Sequence, residues 1–262
     1  MLFNQGIYYA WQDKTRLFLA MENQPSGSLY HFCQENISTK GPQSPETCQF
    51  YATEIAQALT FLNSNGIIHR DVCLENVVVD SIGKSKLIDF NMSFPMADKR
   101  NATTFIGKMN YMAPELVMGL NYNTQVDWWA LGILIYAMYR NVLLFNIHPN
   151  NKDEIDLESE ITKKVLDFND IKKPVRNVIE KLLKRNPLER LAWKEHNVYP
   201  LLDEFFVQGQ KILNSSKYGP FIATKLKTVD ENETKPVRLR PLKNSLTSIE
   251  QAQFHGYYFD SL

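Results

Sequence analysis

Cysteine is scarce in this chain, and its scarcity excludes two kinds of site. The 262 residues include only three cysteines, Cys33, Cys48 and Cys73, an odd number at wide spacing. Such a set predicts neither a disulfide framework nor a zinc site. Widely spaced free thiols are typical of a reducing compartment, so we expect the protein to be cytoplasmic or nuclear.

Net charge and long apolar runs are also lacking. Because 29 basic residues balance 29 acidic ones, we expect no nucleic-acid partner.

The most apolar run, WWALGILIYAMY, has 12 residues at 128–139, whereas roughly 20 are needed to span a bilayer. A helix of that length that is apolar on all sides is typical of the buried centre of a domain. The first residues, MLFNQGIYYAWQD, lack the pattern of a secretory signal. We therefore expect no transmembrane segment.

The residue pattern predicts a little β-structure followed by mainly helical structure, which is an α+β fold class. Two β-runs around a polar turn predict a first hairpin, and two short runs on either side of Gly83 predict a second. Ser44 and Pro45 are typical of a helix start, and Gly66 is typical of a helix end. The predicted strands are 7–11, 17–21, 77–79 and 86–88; the predicted helices are 45–65, 127–139, a part of 153–166, 175–184 and 199–208; residues 91–108 are predicted to form a loop.

Residues 67–79, IIHRDVCLENVVV, gather polar side chains between two apolar runs. A polar loop held between buried segments commonly carries catalytic groups. Asp89 follows the next β-run, so the predicted hairpin brings Asp71, Asn76 and Asp89 to one edge of a small sheet. Amide and carboxylate oxygens suit Mg²⁺ with phosphate completing its coordination, and a further carboxylate can orient an attacking hydroxyl group. The alternative is a polar loop without chemistry.

Several segments together resemble the protein-kinase family. In the family's order they are HRDVCLEN at 69–76, DFN at 89–91, YMAPE at 111–115, DWWALG at 127–132 and RNPLERL at 185–191. A set of motifs in this order is far more specific than any one of them. YGPFIATKLKTVDENE and FHGYYF in the tail resemble the A, G and C group of kinases. YAWQDKTRLFLAMENQPSGSL and IGKMNYMAPE look most like its Rho-effector branch, the citron kinases first and then the myotonic-dystrophy and Rho-associated kinases.

The resemblance implies roles in catalysis and nucleotide binding. Asp71 would be the catalytic base, and Asn76 and Asp89 would hold Mg²⁺. ATP would be the nucleotide, and the residues implied to contact its adenine are Met21, Glu22, Gln24 and Val78. For His69 a packed, hydrogen-bonded histidine is favoured over a catalytic base. The resemblance places His69 with Ile7 and Phe90 in an apolar regulatory stack.

The resemblance also implies structural and regulatory contacts. Asp127 would anchor the polar loop from inside the central helix. Glu115 and Arg190 would form a buried ion pair. Thr104 stands where relatives carry the activation-loop phosphate, and a phosphate there would pair with Arg70. The alternative is an ordinary loop threonine.

Three positions depart from the family pattern. Cys73 stands where the family places a lysine that neutralises the transferred phosphoryl group, and Lys108 stands where a threonine usually bonds the catalytic aspartate. Lys108 could therefore supply the missing positive charge. Asn91 replaces the glycine of the DFG motif, and asparagine tolerates a left-handed backbone better than most residues. The sequence contains no G-x-G-x-x-G, so we expect the small lobe to be largely missing.

We therefore expect three regions: a small-lobe remnant and hinge at 1–24, a kinase large lobe at 25–207, and a kinase tail at 208–262. The tail would carry a hydrophobic motif of Phe254, Tyr257 and Phe259. The expected function is a serine/threonine kinase domain that is weakly active or inactive as this chain, and the alternative is a pseudokinase scaffold of a Rho-signalling cytokinesis protein. Expected partners are a protein substrate or scaffold proteins and components of a small-GTPase pathway, at the cytoskeleton or cleavage furrow.

Overall fold

The computed structural model describes residues 7–13, 15–22, 24, 26–37, 43–96, 102–145, 147, 157–192, 200–217 and 219–220. These residues fall into two compact units, a hairpin unit at 7–22 and a helical unit from Gln24 onward. Helices dominate the larger unit, and its strands are few and short. The predicted α+β fold class is confirmed.

The hairpin unit consists of two antiparallel strands, β1 (Ile7–Gln12) and β2 (Leu17–Met21). The Asp13 carboxylate closes their turn by accepting hydrogen bonds from the backbone N–H groups of Thr15 and Arg16, at 2.8 Å each. Trp11 and Phe18 stack across the strands with ring centroids 5.2 Å apart. Because aromatic cross-strand pairs stabilise such sheets, the two β-runs form the predicted hairpin.

The helical unit is built from short strand pairs packed beside longer helices. Its described helices are α1 (Leu29–Ile37), α2 (Pro45–Ser64), α3 (Pro114–Val117), α4 (Gln125–Arg140), α5 (Leu157–Lys163), α6 (Val175–Leu182) and α7 (Glu204–Ser215). The strands are β3 (Ile67–Ile68), β4 (Val77–Val79), β5 (Ser85–Leu87) and β6 (Phe94–Pro95), which pair antiparallel as β3–β6 and β4–β5. Single 3₁₀ turns occur at Leu74–Asn76, Phe90–Met92, Met109–Tyr111 and Pro200–Leu202.

Helix α2 begins and ends at the predicted signals and packs against α4 and α7. The Ser44 hydroxyl accepts a hydrogen bond from the Thr47 backbone N–H at 3.2 Å, which satisfies one of the free N–H groups of the first turn. Gly66 follows with a left-handed φ of +69°. Gly209 of α7 lies so close to Thr53 of α2 that a Cβ atom at residue 209 would collide with it. The glycine therefore permits the close α2–α7 contact.

Helix α4 is buried on nearly all sides, as its apolar sequence predicts. Trp128 and Trp129 are fully buried within the core. The Trp128 indole N–H donates to Asn63 Oδ1 at 2.8 Å, and Asn63 Nδ2 donates to the Ile67 carbonyl at 3.1 Å. This chain of bonds joins α4 to the end of α2 and to the strand that leads into the polar loop.

The β4–β5 hairpin directly follows the polar loop, residues 69–76, in the chain. All three valines of β4 are buried, and Gly83 turns the chain with φ of +82°. The Tyr51 hydroxyl of α2 donates to the Gly83 carbonyl at 3.0 Å, which fixes the turn to the helical core. The second strand begins at Ser85, one residue before the predicted start.

Three helices, α1, α3 and α7, differ from the sequence-based expectation, and strand β6 lies within the segment 91–108 that is predicted to be a loop. Helix α7 does not end near 208 but continues to Ser215, because Ile212 and Leu213 still pack against the core. Helix α1 is an element that the patterns above do not predict, and it buries Leu29 and Cys33 one turn apart. Among the described helices, none is both long enough and apolar enough to cross a bilayer.

Glu54 of α2 is a buried carboxyl group whose ionisation opposes folding. Its Oε2 accepts hydrogen bonds from the Ser85 backbone N–H and hydroxyl at 2.8 Å each, and Lys84 Nζ lies 3.8 Å from Oε1. Burial nevertheless raises the pKa of Glu54 from 4.5 to about 7, against the opposing effects of Ser85 and Lys84.

This raised pKa predicts a pH-dependent stability. The folded state binds more protons at Glu54 than the unfolded state does, so the free energy of unfolding should fall as pH rises from 4.5 to about 7 and then level off. The free energy of unfolding should decline by up to about 3 kcal/mol over this range. Glu54→Gln should remove this decline, because glutamine does not ionise. Urea unfolding at about pH 5 and about pH 8 measures this, with exposed Glu158→Gln as the matched control. An undiminished decline in Glu54→Gln would contradict it.

Candidate active site

The polar loop, residues 69–76, is anchored by the Asp127 carboxylate of α4. Asp127 Oδ2 accepts from the His69 backbone N–H and Oδ1 from the Arg70 backbone N–H, both at 2.9 Å. Asp127 is buried, and this burial raises its pKa while His69 and the two backbone bonds oppose the shift. Arg70 has a left-handed φ of +68°, a conformation that a non-glycine residue keeps only when its surroundings hold it. The carboxylate therefore sets the backbone direction just before Asp71.

His69 is a packed residue with both ring nitrogens engaged. Nε2 lies 3.1 Å from the Ile88 carbonyl, and Nδ1 lies 3.3 Å from the backbone N–H of Asp71. A ring that donates from Nε2 and accepts at Nδ1 is neutral, and burial lowers the pKa of His69. The ring contacts Phe90 edge-on, with centroids 4.9 Å apart. The ring of His69 is thus packed and hydrogen-bonded at both nitrogens.

Asp71 and Asn76 are brought together across the loop. Asn76 Nδ2 donates to Asp71 Oδ2 at 2.6 Å and to the Asp71 carbonyl at 2.9 Å. Both donor positions of the amide therefore point at Asp71, which leaves Oδ1 as the atom of Asn76 that can bind a cation. Asp71 itself is only half-buried.

Asp89 follows Ile88, which comes directly after β5 and is hydrogen-bonded to the polar loop. The Ile88 backbone N–H donates to the Asn76 carbonyl at 2.9 Å, so Asp89 begins next to Asn76. Asp89 is exposed and left-handed, with φ of +66°, and its Oδ1 accepts from the Asn91 backbone N–H at 3.3 Å. The left-handed turn expected at Asn91 is thus formed two residues earlier, by an aspartate whose side chain bonds its own turn.

The oxygen atoms of Asn76 and Asp89 have the chemistry that Mg²⁺ prefers. Among the residues that the structure describes, no three His, Cys, Asp or Glu side chains cluster so as to hold a metal by themselves. A cation between Asn76 and Asp89 would therefore take its other ligands from phosphate and water. Mg²⁺ is the ion most commonly held in this partial way.

The residues implied for the adenine are divided between the two units. Met21 and Glu22 lie at the end of the hairpin unit. Gln24 and Val78 lie in the helical unit, where the Gly27 carbonyl accepts from the Val79 backbone N–H at 2.9 Å. The segment after Gln24 is therefore joined by its backbone to β4.

Cys73 and Lys108 are in contact. Lys108 Nζ lies 3.0 Å from Cys73 Sγ and 3.3 Å from Glu75 Oε2. Cys73 is fully buried, and burial raises the pKa of its thiol to about 12 even though Lys108 opposes the shift. The thiol therefore stays neutral and unreactive, and the lysine next to it lines a small cavity together with Asp71.

Arg70 and Thr104 are connected through Tyr122. Arg70 Nη1 donates to the Tyr122 hydroxyl at 3.2 Å, and that hydroxyl donates to the Thr104 carbonyl at 2.8 Å. The guanidinium also lies over the Phe94 ring, 5.1 Å from its centroid. Thr104 is exposed. Tyr122 links it to Arg70, the residue that the resemblance implies would bind a phosphate on Thr104.

The ion pair between Glu115 and Arg190 is present and buried. Its two hydrogen bonds run in parallel, from Nη1 to Oε1 at 2.6 Å and from Nη2 to Oε2 at 2.9 Å. Arg190 also donates to the backbone carbonyls of Gln125, Lys184 and Arg185, and its guanidinium lies over the Trp129 ring. Arg190 therefore ties α3, α4 and the segment after α6 together.

Sequence reasoning missed Tyr122 and Asn63, which connect the site to its surroundings. Both act through side-chain bonds to residues distant in sequence, and neither lies in a recognisable motif. Phe254, Tyr257 and Phe259, the implied hydrophobic motif, lie outside the described residues.

The family model for the protein kinase domain matches residues 6–202. Protein kinase C epsilon type from Oryctolagus cuniculus is 31% identical over 268 residues, 97% of this chain and 35% of that protein. Protein kinase C delta type from Mus musculus is 34% identical, over 98% of this chain and 38% of that protein. Serine/threonine-protein kinase 32C from Homo sapiens is 32% identical over 196 residues, 73% of this chain and 40% of that protein.

The chain thus spans 35% to 40% of the length of these relatives. The matched segment contains the polar loop, Asp89, the Glu115–Arg190 ion pair and Asp127. On this match the chain belongs to the protein kinase domain family.

Proposed function

We propose that this chain is a serine/threonine protein kinase domain, which transfers the γ-phosphoryl group of ATP to hydroxyl groups of proteins. One observation carries the proposal: Asn76 bonds the Asp71 carboxylate at 2.6 Å with its side chain and the residue before Asp89 at 2.9 Å with its backbone. Asp71 is thus bonded to Asn76, and Asp89 directly follows a residue bonded to Asn76. On this proposal Asp71 accepts the proton, and Asn76 and Asp89 supply the oxygen ligands of a cation. Phosphoryl transfer depends on this combination of positioning and charge.

The proposed step is a direct transfer. The substrate hydroxyl oxygen forms a bond to the γ-phosphorus as the bond from that phosphorus to the β-phosphate oxygen breaks, and ADP leaves with the electron pair. Asp71 accepts the hydroxyl proton. Asn76 and Asp89 would hold Mg²⁺, which supplies positive charge to the phosphate oxygens when bound. Within the helical unit, Gln24 and Val78 would contact the adenine.

We further propose that the domain is a citron-like member of the Rho-effector branch. The support is the likeness of IGKMNYMAPE and of the segment around β1 and β2. On this proposal the domain works in the cytoplasm, at the cytoskeleton or cleavage furrow, with protein substrates, scaffold proteins and small-GTPase pathway components as partners. Regulation would come from phosphate on Thr104 and from Phe254, Tyr257 and Phe259 in a tail at 208–262.

A pseudokinase scaffold is the second candidate. Cys73 favours it, because a buried neutral thiol occupies the place in the polar loop where the resemblance implies a lysine. Such a module would bind partners through its surface without transferring phosphate.

A transfer assay separates the two candidates. The chain is incubated with Mg²⁺ and ATP labelled at the γ-phosphate, and label in protein is counted for the natural sequence, Asp89→Ala and exposed Asp167→Ala. We expect label from the natural sequence and Asp167→Ala, and only background from Asp89→Ala. Equal background from all three would overturn the kinase proposal.

Mg-ATP binding is measured separately by thermal shift. A ligand at 100 times its dissociation constant stabilises a protein by about 2.7 kcal/mol. A pseudokinase that binds nucleotide would show this shift without transferring label, whereas the kinase proposal requires both signals from the same preparation.

A further inference from the structure

Lys108 is held against the polar loop by two independent features. Gly107 precedes it with φ of +109° and lies so close to the loop that a Cβ atom there would come within 2.6 Å of the Arg70 carbonyl oxygen. The Lys108 carbonyl then accepts from the Tyr111 backbone N–H at 2.9 Å, which starts a 3₁₀ turn. The backbone of Lys108 therefore has a fixed position beside the residue before Asp71.

Lys108 and Asp71 line the same small cavity, and the ammonium group of Lys108 bonds Cys73 of the polar loop. Burial lowers the pKa of Lys108, but its hydrogen bond to Cys73 and the nearby carboxylates of Glu75 and Asp71 outweigh that effect, so the pKa is raised. The group is thus positively charged at neutral pH. Cys73 contributes no opposing charge, because burial keeps its thiol protonated.

The pairing of Lys108 with Glu75 is too exposed to explain this placement. The two side chains are 39% and 41% exposed. An exposed ion pair of this kind contributes little to stability. A charged group that is fixed in backbone, half-buried and next to a catalytic carboxylate is instead typical of a site that binds an anion.

We propose that Lys108 binds the γ-phosphoryl group of ATP beside Asp71 and neutralises it during transfer, so that the charge absent from position 73 is supplied from position 108. The inference rests on the proposed kinase function and goes beyond it by assigning the phosphate-binding cation. Lys108 stays protonated throughout, so the bonds made and broken and the proton taken by Asp71 are those of the transfer step already given.

The test compares five variants in the labelled-ATP assay, with melting temperature as a check on folding. Lys108→Met should lower kcat roughly 10²-fold, as expected for loss of one positioned donor. Lys108→Arg should keep most of the activity, and the exchange variant Cys73→Lys/Lys108→Thr should recover activity relative to Lys108→Met. Glu75→Gln tests the ion pair alone, and exposed Lys172→Met is the matched lysine control; both should match the natural sequence.

A measurement of nucleotide binding distinguishes binding of the γ-phosphoryl group by Lys108 from a purely structural role of Lys108. Lys108→Met should weaken the thermal shift produced by Mg-ATP and leave the shift produced by Mg-ADP unchanged, because only the triphosphate carries the γ-phosphoryl group. Lys108→Met with a kcat equal to that of Lys172→Met, while Asp89→Ala still abolishes transfer, would overturn the role of Lys108 and leave the kinase proposal standing. A natural sequence that labels no more than Asp89→Ala overturns both.

Discussion

Replacing Glu115 with alanine should lower the free energy of unfolding by about 3–5 kcal/mol, the cost of breaking a buried ion pair by removing one partner. The guanidinium of Arg190 is fully buried and the Glu115 carboxylate is 5% exposed, so water cannot take the place of the lost partner. Two parallel hydrogen bonds at 2.6 and 2.9 Å disappear together. The remaining positive charge is then held in the core without its counter-charge.

Arg190→Met should cost at least as much as Glu115→Ala. Arg190 also donates to the carbonyls of Gln125, Lys184 and Arg185, and these acceptors would be left without that donor in addition to the carboxylate. Urea unfolding monitored by circular dichroism gives the free energies. The matched control is Glu180→Ala, which breaks an exposed helical pair with Arg176 and should cost well under 1 kcal/mol. A Glu115→Ala loss no larger than that of the control would contradict the argument.

Local chemistry explains why most of the fold could be predicted. Ser44, Pro45 and Gly66 mark the ends of α2 through capping and a left-handed turn, and each acts within a few residues of the chain. The β4–β5 hairpin follows from Gly83 in the same way. The end of α7 could not be predicted so easily, because Gln208, Gly209 and Gln210 interrupt an apolar stripe that continues at Ile212 and Leu213.

The candidate site depends more on contacts between distant residues. Asp127 and the polar loop are 58 residues apart, and only the order of motifs suggested that they meet. The Lys108–Cys73 contact joins residues 35 apart. The departures from the family pattern at Cys73 and Lys108 are visible in the sequence. That the Lys108 side chain contacts Cys73 follows from tertiary packing and could not be predicted from the pattern. The left-handed residue was expected at Asn91 and is Asp89, because the aspartate side chain stabilises the turn itself.

Asp127→Ala should lower the free energy of unfolding by about 3–6 kcal/mol, since each of two hydrogen bonds to a charged acceptor contributes about 1.5–3 kcal/mol. The backbone N–H groups of His69 and Arg70 both depend on this carboxylate at 2.9 Å. Asp127 is 1% exposed, so water does not replace it. Loss of the anchor also releases Arg70 from its left-handed conformation, which moves Asp71 out of position, so transfer should collapse even where the protein remains folded.

Asp13→Ala is a matched control for this prediction, because Asp13 also accepts two backbone N–H bonds, at 2.8 Å each, but in an exposed turn. Water can replace the Asp13 carboxylate, so this variant should lose far less stability than Asp127→Ala. Amide hydrogen exchange at His69 and Arg70 tests the mechanism directly: both amides should be protected in the natural sequence and exchange rapidly in Asp127→Ala. Continued protection of both amides in a folded Asp127→Ala protein would show that other contacts hold the loop, and the predicted loss of transfer would lose its physical cause.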